Sequence, residues 1–490
     1  MVNFGEKLRM GGTGWGSRLS LAMLVGSLVV LVAGPWAEPR AQTAQTKAVP
    51  KTTGEIELSF AAVVRQAAPA VVNIYTRRVV RSGIASPLLK DPLLRHFFGE
   101  GFGFGMPRER VQASLGSGVI VRPDGFLVTN YHVIQDSDEI TVVLADRREF
   151  GATILRTDER TDLAVLKIDT GGEELPFLEL RDSDELEVGD LVLAIGNPFG
   201  IGQAVTSGII SALARTQVGI TDFRFFIQTD AAINPGNSGG ALVSMDGRLA
   251  GINTAIFSRT GGSLGIGFAI PSNMVATVIA GVTSGGRLVR PWLGASGQSV
   301  TADIAESLGL ARPGGVIIAR VYPGGPADGA GLEVGDVVTA VNGREVEDSE
   351  ALRFRIATLP IGGGATLALH RRGGDRTVTV LLEAPPEDPP RQETTLRGAH
   401  PLSGATVANL SPALADELAL DLFARGVVIL DTARGSPAQR FFATGDILLR
   451  VAGLETETVD ALERALMQPA RVWNIALRRG GKVVNLAVSG

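Results

Sequence analysis

Ser238 stands in Ile233-Asn234-Pro235-Gly236-Asn237-Ser238-Gly239-Gly240-Ala241-Leu242-Val243, a glycine-rich turn that runs into an apolar strand. Small residues on both sides leave a hydroxyl exposed and let backbone N–H groups converge on the space in front of it. That suits acyl transfer, in which the hydroxyl attacks a carbonyl and N–H donors hold the oxygen that turns negative. Gly236 and Ser238, with Asn237 between them, form the candidate oxyanion hole; one lost donor there typically costs about 3–4 kcal/mol of barrier. The same residues also suit an ordinary turn, since Gly, Asn and Ser are its usual members. A base and an acid elsewhere in the chain would separate the two readings.

A serine hydroxyl is a weak nucleophile at neutral pH and needs a base that is itself oriented by a third group. The chain has four histidines. His96, His370 and His400 sit among glycines, arginines or beside proline and read as loop or surface. His132 follows the apolar-alternating stretch Gly118 to Asn130, in which Pro123-Asp124-Gly125 marks a turn between two strands. It is therefore placed at a strand end, at a rim. Asp162, in Arg160-Thr161-Asp162-Leu163-Ala164-Val165-Leu166, opens a short apolar strand and is the acid candidate. Asp136 and Asp138 compete for that role from a polar loop close behind His132. The chain order His132, Asp162, Ser238 is that of the chymotrypsin-type double barrel, one of three unrelated orders in which this triad occurs.

Four stretches then carry a resemblance: Thr129-Asn130-Tyr131-His132-Val133, Thr161-Asp162-Leu163-Ala164-Val165, Ile195-Gly196-Asn197-Pro198-Phe199-Gly200, and Thr229 through Gly240. With Gly265-Ile266-Gly267-Phe268-Ala269-Ile270-Pro271 they closely resemble the HtrA (Deg/Do-like) family of serine proteases. The resemblance covers nearly everything after the N-terminal leader. It implies a mostly β fold, a chymotrypsin-like double β-barrel protease domain followed by two PDZ domains. It also implies a trimer built through the first barrel, with higher multiples of trimers when substrate arrives.

The substrate pocket reads as small and apolar. Beside Ser238 stand Ala231, Ala232 and Ile233, with Leu264 and Ile266 on the neighbouring loop; Asp230 is the nearest acid and is expected to face away as a structural group. Cleavage after Val, Ala or Ile follows. A substrate adding as a strand favours unfolded polypeptide.

Composition bounds the rest. At 490 residues the chain holds several domains. A formal net charge of −5 leaves no basic footprint, so a nucleic-acid partner is not expected. No cysteine occurs, which excludes disulfides and thiol chemistry. No metal cluster or phosphate loop is present, and residues 196–202 and 261–267 lack the Lys-Ser/Thr ending of one, so no cofactor is expected. Lys7, Arg9 and Arg18 precede an apolar run from Leu19 to Ala33. That run falls short of the roughly 18–20 residues that span a bilayer, so residues 1–44 read as an export signal, with an uncleaved membrane anchor as the alternative. Residues 45–54 form a tether, and the protease domain spans 55–285. Between Arg81 and Arg110 the pattern lapses around Phe97, Phe98, Phe102 and Phe104; in the resembled family this loop reaches a neighbouring subunit and controls the active site.

Beyond Arg287 two similar units recur at a spacing of roughly 110 residues. The first, 286–383, has Gly314-Gly315-Val316-Ile317, Gly335-Asp336-Val337-Val338 and Asn342-Gly343; the second, 395–490, has Gly426-Val427-Val428-Ile429 and Gly445-Asp446-Ile447-Leu448. They resemble PDZ domains, which take a peptide as an added strand and hold its C-terminal carboxylate with backbone N–H groups. The capture loops are Arg290, Trp292, Leu293, Gly294 and Ala295 in the first and Leu402, Ser403, Gly404 and Ala405 in the second. Residues 384–394, crowded with proline and acid, form a semi-rigid linker. The leading reading is an exported serine endopeptidase regulated by peptide C-termini. A chaperone of unfolded chains and a PDZ scaffold with an inactive barrel are the alternatives.

Overall fold

The computed structural model describes residues 59–81, 109–197, 202–215, 225–234, 236–256, 264–283, 288–372 and 374–489. The leader, the tether, the aromatic loop with Phe97, Phe98, Phe102 and Phe104, residue Pro235 and parts of both glycine-rich loops lie outside them. Among the described residues no helix is long and apolar enough to cross a membrane.

A short helix α1 (Ala61–Ala67) leads into the first closed barrel, whose strands run β1 (Val71–Arg81), β2 (Glu109–Arg122), β3 (Phe126–Thr129), β4 (Glu139–Val143), β5 (Glu149–Asp158) and β6 (Leu163–Ile168). They close in the order β1-β2-β3-β6-β5-β4. The turn between β2 and β3 uses Gly125 at a φ of 90°, which the Pro-Asp-Gly signal anticipates. β4 alternates buried with partly or fully exposed residues, so one face meets the barrel core and the other water. β6, paired with β3 on one side and β5 on the other, is buried almost throughout.

The second barrel is built from β7 (Leu191–Gly196), β8 (Ala204–Arg215), β9 (Phe226–Thr229), β10 (Ala241–Ser244), β11 (Leu249–Ile256) and β12 (Gly267–Pro271), closing as β10-β11-β12-β9-β8-β7. The β10–β11 hairpin turns through Asp246-Gly247, with Gly247 at a φ of 80° and its N–H donating to Ser244 O at 2.9 Å. A helix, Ser272–Thr283, follows the barrel. Ser272 and Asn273 at its start turn their side chains to the segment 181–183, and Ser183 Oγ accepts from the Asn273 N–H at 3.3 Å. The cap comes from a distant loop rather than from the helix itself.

Two sheets complete the fold. The first contains β13 (Ala295–Ser299), β14 (Val316–Val321), β15 (Val337–Val341), β16 (Arg344–Glu345), β17 (Gly364–Arg371) and β18 (Gly374–Leu381), with β13 at its edge. The second contains β19 (Thr394–Thr395), β20 (Ala405–Asn409), β21 (Val427–Thr432), β22 (Ile447–Val451), β23 (Leu454–Glu455), β24 (Val472–Arg479) and β25 (Lys482–Ser489). Each sheet packs one helix beside its first strands, Ser349–Ala357 in the first unit and Val459–Leu466 in the second, capped by Asp348 and Thr458. The helix Ser349–Ala357 also meets the second barrel and the segment before it. Phe354 stacks on Phe225 with ring centroids 3.8 Å apart, and Arg355 pairs with Asp184.

Candidate active site

The register of the first barrel sets the site. β3 and β6 are antiparallel neighbours with Thr129 opposite Ala164, so the residues just after β3 meet those just before β6. That juxtaposition places His132, in the short turn of helix Tyr131–Ile134, beside Asp162. His132 Nδ1 lies 2.8 Å from Asp162 Oδ2 and 3.0 Å from Oδ1, and the His132 N–H donates to Oδ1 at 3.0 Å. The main chain of Asp162 is held as firmly: its carbonyl accepts from the Tyr131 N–H at 3.1 Å and from Asn130 Nδ2 at 3.0 Å. Asp162 adopts a left-handed backbone with a φ of 57°, a conformation Asp tolerates better than most side chains. It is 6% exposed, whereas Asp136 and Asp138 are both exposed. Burial among donors suits Asp162 to orient an imidazole.

Ser238 reaches this pair from the second barrel through a residue the sequence did not mark. Thr254 on β11 donates its hydroxyl to Asp162 Oδ2 at 2.7 Å, while its main-chain carbonyl accepts from Ser238 Oγ at 3.1 Å. Ser117 on β2 makes a second bridge between the barrels. Its N–H donates to Ser238 O at 2.8 Å, its hydroxyl donates to Gly236 O at 2.6 Å, and that hydroxyl accepts from the Asn197 N–H at 2.8 Å. Thr254 and Ser117 lie in strands of unremarkable pattern, so nothing local singles them out.

The turn before Ser238 has a definite hydrogen-bond pattern. Gly236 sits at a φ of 96°. The Asn237 N–H, counted among the candidate oxyanion donors, is taken by Asn234 O at 2.9 Å, because that bond closes the turn. Among the described residues the N–H groups of Gly236 and Ser238 have no acceptor, so these two remain available. Gly239 is fixed by both barrels: at a φ of 83°, a Cβ there would come within 2.1 Å of Ser117 O.

The expected pocket walls need correction. Ile233 is 1% exposed and belongs to the core of the second barrel with Val192, Ile210 and Leu242, because its position follows directly on a buried strand and turn. Leu264 is 63% exposed, while Ile266 is half-buried against the core. Asp230 accepts from the Ile209 N–H at 2.7 Å, the structural use foreseen for it.

The two capture loops differ. In the first, Arg290 is no donor for a peptide: it is 6% exposed and paired with Asp158 at the end of β5, and burial draws its guanidinium below its ordinary value although Asp158 opposes this. The Trp292 N–H donates to Glu383 O at 2.8 Å, Ala295 begins β13, and the N–H groups of Leu293 and Gly294 have no acceptor among the described residues. In the second loop the N–H groups of Ser403, Gly404 and Ala405 are taken by His400, Leu396 and Leu402, at 3.1, 2.9 and 3.1 Å. The Ser403 and Ala405 bonds close local turns, while the acceptor for Gly404 follows β19, which adds to the outer edge of β20 where a peptide strand would lie, with Thr394 opposite Val407. Leu396 follows it into the core at 3% exposure. The second loop is thus closed by the chain itself and does not present the expected carboxylate cradle.

Comparison with known proteins agrees with this architecture. Residues 116–252 match the profile of the trypsin-like peptidase domain, and residues 263–382 that of the PDZ domain. A probable periplasmic serine endoprotease, DegP-like, of Marinomonas sp. (strain MWYL1) is 39% identical over 411 residues, covering 82% of this chain and 86% of that one. One of the same description from Pseudomonas putida (strain W619) is 44% identical over 344 residues, covering 67% and 70%. Among solved structures, the HtrA-type protease AlgW with decapeptide is 45% identical over 67% of this chain and 99% of that chain, with a TM-score of 0.49.

Proposed function

The chain belongs to the HtrA (DegP-like) family of serine endoproteases, and from that premise we propose that it is an exported, periplasmic enzyme that cuts unfolded polypeptides after small apolar residues. Ser238 attacks the scissile carbonyl and gives its proton to His132 Nε2, which then protonates the departing amine. Asp162 holds the His132 tautomer and steadies the imidazolium. The Gly236 and Ser238 N–H groups receive the oxyanion, and water repeats the sequence to release the acyl group. The observation that carries the reading is the double contact of Asp162 with His132 Nδ1, reinforced by the Thr254 hydroxyl. Ser238 Oγ rests on Thr254 O. A rotation about its χ1 frees it for the base, and catalytic hydrogen bonds often tighten only when substrate binds.

Specificity for small apolar residues is supported by Ala232 and the half-buried Ile266, and by Asp230 being engaged with Ile209 rather than free to pair with a basic side chain. Regulation by apolar peptide C-termini is assigned to the first PDZ unit alone, where the Leu293 and Gly294 N–H groups stand available. Assembly as a trimer through the first barrel is part of the same reading, and exposed Phe60 and Tyr75 near its start supply apolar surface for it.

The test is hydrolysis of unfolded casein by the chain lacking residues before Gln45, beside its Ser238→Ala variant. Cleavage after Val, Ala or Ile that disappears in the variant supports the proposal. Unchanged cleavage in the variant removes the triad assignment. Light scattering on the same samples reports the assembly, and suppression of aggregation by the variant separates a chaperone role from catalysis.

A further inference from the structure

We infer that residues 416–423 of the second PDZ unit form a latch that closes the peptide groove of the first. The inference rests on the reading that this groove takes apolar C-termini. β13 is the outermost strand of its sheet, so its free edge is where a peptide strand would add. The groove between β13 and the helix Ser349–Ala357 is lined by Ser296, Gly297, Leu352 and Ile356, and its third wall is Leu420 and Leu422 from the second unit. The space left is about 250 Å³. Ligand pockets usually measure about 300–1,000 Å³, so what remains is small for a strand bearing side chains.

Both ends of the covering segment are fastened. Near its C-terminal end, Asp421 Oδ1 accepts from Arg320 Nη2 at 2.7 Å, and the same guanidinium lies 4.2 Å from the centre of the Phe423 ring. Tyr322 packs at 5.9 Å against Phe423, and Arg320 Nε donates to Ser296 Oγ on β13 at 3.1 Å. Arg320 therefore ties the cover to the edge strand that a peptide would use. At the other end Asp416 Oδ1 accepts from Arg160 Nη1 at 3.1 Å, two residues before Asp162 in the turn between β5 and β6. A peptide entering the groove must displace a segment whose far end is bonded beside the proposed catalytic acid.

The fastening at the C-terminal end is the weaker one. An ion pair whose partners are about half exposed and an arginine over an aromatic ring hold only modestly, whereas Arg160 and Asp416 at the other end are 15% and 26% exposed, so the Arg320 end releases first. The apparent dissociation constant of the groove equals the intrinsic one divided by the open fraction. A closed form that dominates by ten to one weakens peptide binding about tenfold.

The test uses the full chain carrying Ser238→Ala, so that nothing is cut, and a fluorescent decapeptide with a free C-terminal Val, read by anisotropy. Asp421→Arg and Arg320→Glu each break the ion pair, and the double variant re-forms it with reversed polarity. Leu352→Glu places a charge in the groove wall, with its fold checked by circular dichroism. The latch predicts binding about tenfold tighter in each single variant, a return toward the parent value in the double variant, and loss with Leu352→Glu. Unchanged or weaker binding in the single variants, with Leu352→Glu still abolishing it, overturns the latch and leaves the peptide site standing. No binding in any chain removes the peptide reading and the latch with it.

Discussion

Thr254 holds Asp162 from the opposite barrel: its hydroxyl sits 2.7 Å from Asp162 Oδ2, while its own carbonyl accepts from Ser238 Oγ at 3.1 Å. A hydrogen bond to an ionised carboxylate is roughly twice as strong as a neutral one, and this one fixes the rotamer that faces His132. Thr254→Val keeps the shape of the side chain and removes the donor. It is expected to lower kcat/KM on an unfolded substrate about tenfold, corresponding to about 1.4 kcal/mol. Thr254→Ser retains the donor and should stay near the parent rate. Equal rates for Thr254→Val and parent would mean that Asp162 is positioned by His132 and the main chain alone.

Gly239 offers a sharper structural prediction. A Cβ there meets the Ser117 carbonyl oxygen at 2.1 Å and Thr129 Oγ1 at 2.4 Å, and the backbone has a φ of 83°. The obstacle is mainly backbone, which cannot swing aside as a flexible side chain does. Gly239→Ala should therefore displace the Ser238 turn and reduce activity at least a hundredfold, on the scale of losing one oxyanion donor. Active-site titration with a serine-directed phosphonate checks it, since the reactive fraction should fall with the rate.

The fold was legible because its signals are local. The apolar-alternating stretch 118–130 and its turn at Pro123-Asp124-Gly125 announce themselves within a few residues. The base and acid candidates emerged from their places at the end and the start of apolar strands, with chain order in support, and the β3–β6 register explains why residues 30 apart meet. What escaped notice is long-range. Ser117 meets Gly236 across 119 residues and Thr254 meets Asp162 across 92, and neither is marked by its neighbours. Ile233 was misread as pocket wall because an apolar residue beside a nucleophile suits core and pocket equally. β19 escaped because two residues carry no period, yet they close the second PDZ edge.

The first PDZ unit contains a buried ion pair whose pH dependence can be worked out. Asp336 is 1% exposed and accepts from Arg371 Nη2 at 2.6 Å and from the Glu333 N–H at 2.8 Å. Burial alone pushes its carboxyl up. The Arg371 hydrogen bonds, the Glu333 N–H and the Arg371 charge outweigh that and hold it below its ordinary 3.8. A carboxyl with a depressed folded value binds fewer protons in the folded state, so its stabilisation is present above 3.8 and is lost as pH falls through the lower folded value. Asp336→Ala leaves Arg371 without its main partner and should cost about 3 kcal/mol at pH 7. Hydrogen exchange in the strand Val337–Val341 isolates this unit from the rest of the chain. The gap between parent and variant should shrink in strong acid, and a gap unchanged by pH would assign the loss to packing.

Among the described residues the N–H groups expected to hold a carboxylate lack acceptors in the first PDZ unit alone, and this sets the expected stoichiometry of peptide binding. Leu293 and Gly294 present N–H groups without acceptors among the described residues, whereas the Ser403, Gly404 and Ala405 N–H groups already donate to carbonyls of their own domain. Freeing Gly404 requires stripping β19 from β20 and lifting Leu396 out of the core, where it is 3% exposed. Extracting a buried leucine costs about 2 kcal/mol before any hydrogen bond is broken. A ligand strand would regain the hydrogen bonds that β19 makes but would also bear the cost of its own ordering. Calorimetric titration of full-length Ser238→Ala with the apolar-ended decapeptide should therefore give one site per chain, abolished by Leu352→Glu. Two sites, or one that survives Leu352→Glu, would place binding in the second unit and require β19 to leave its edge.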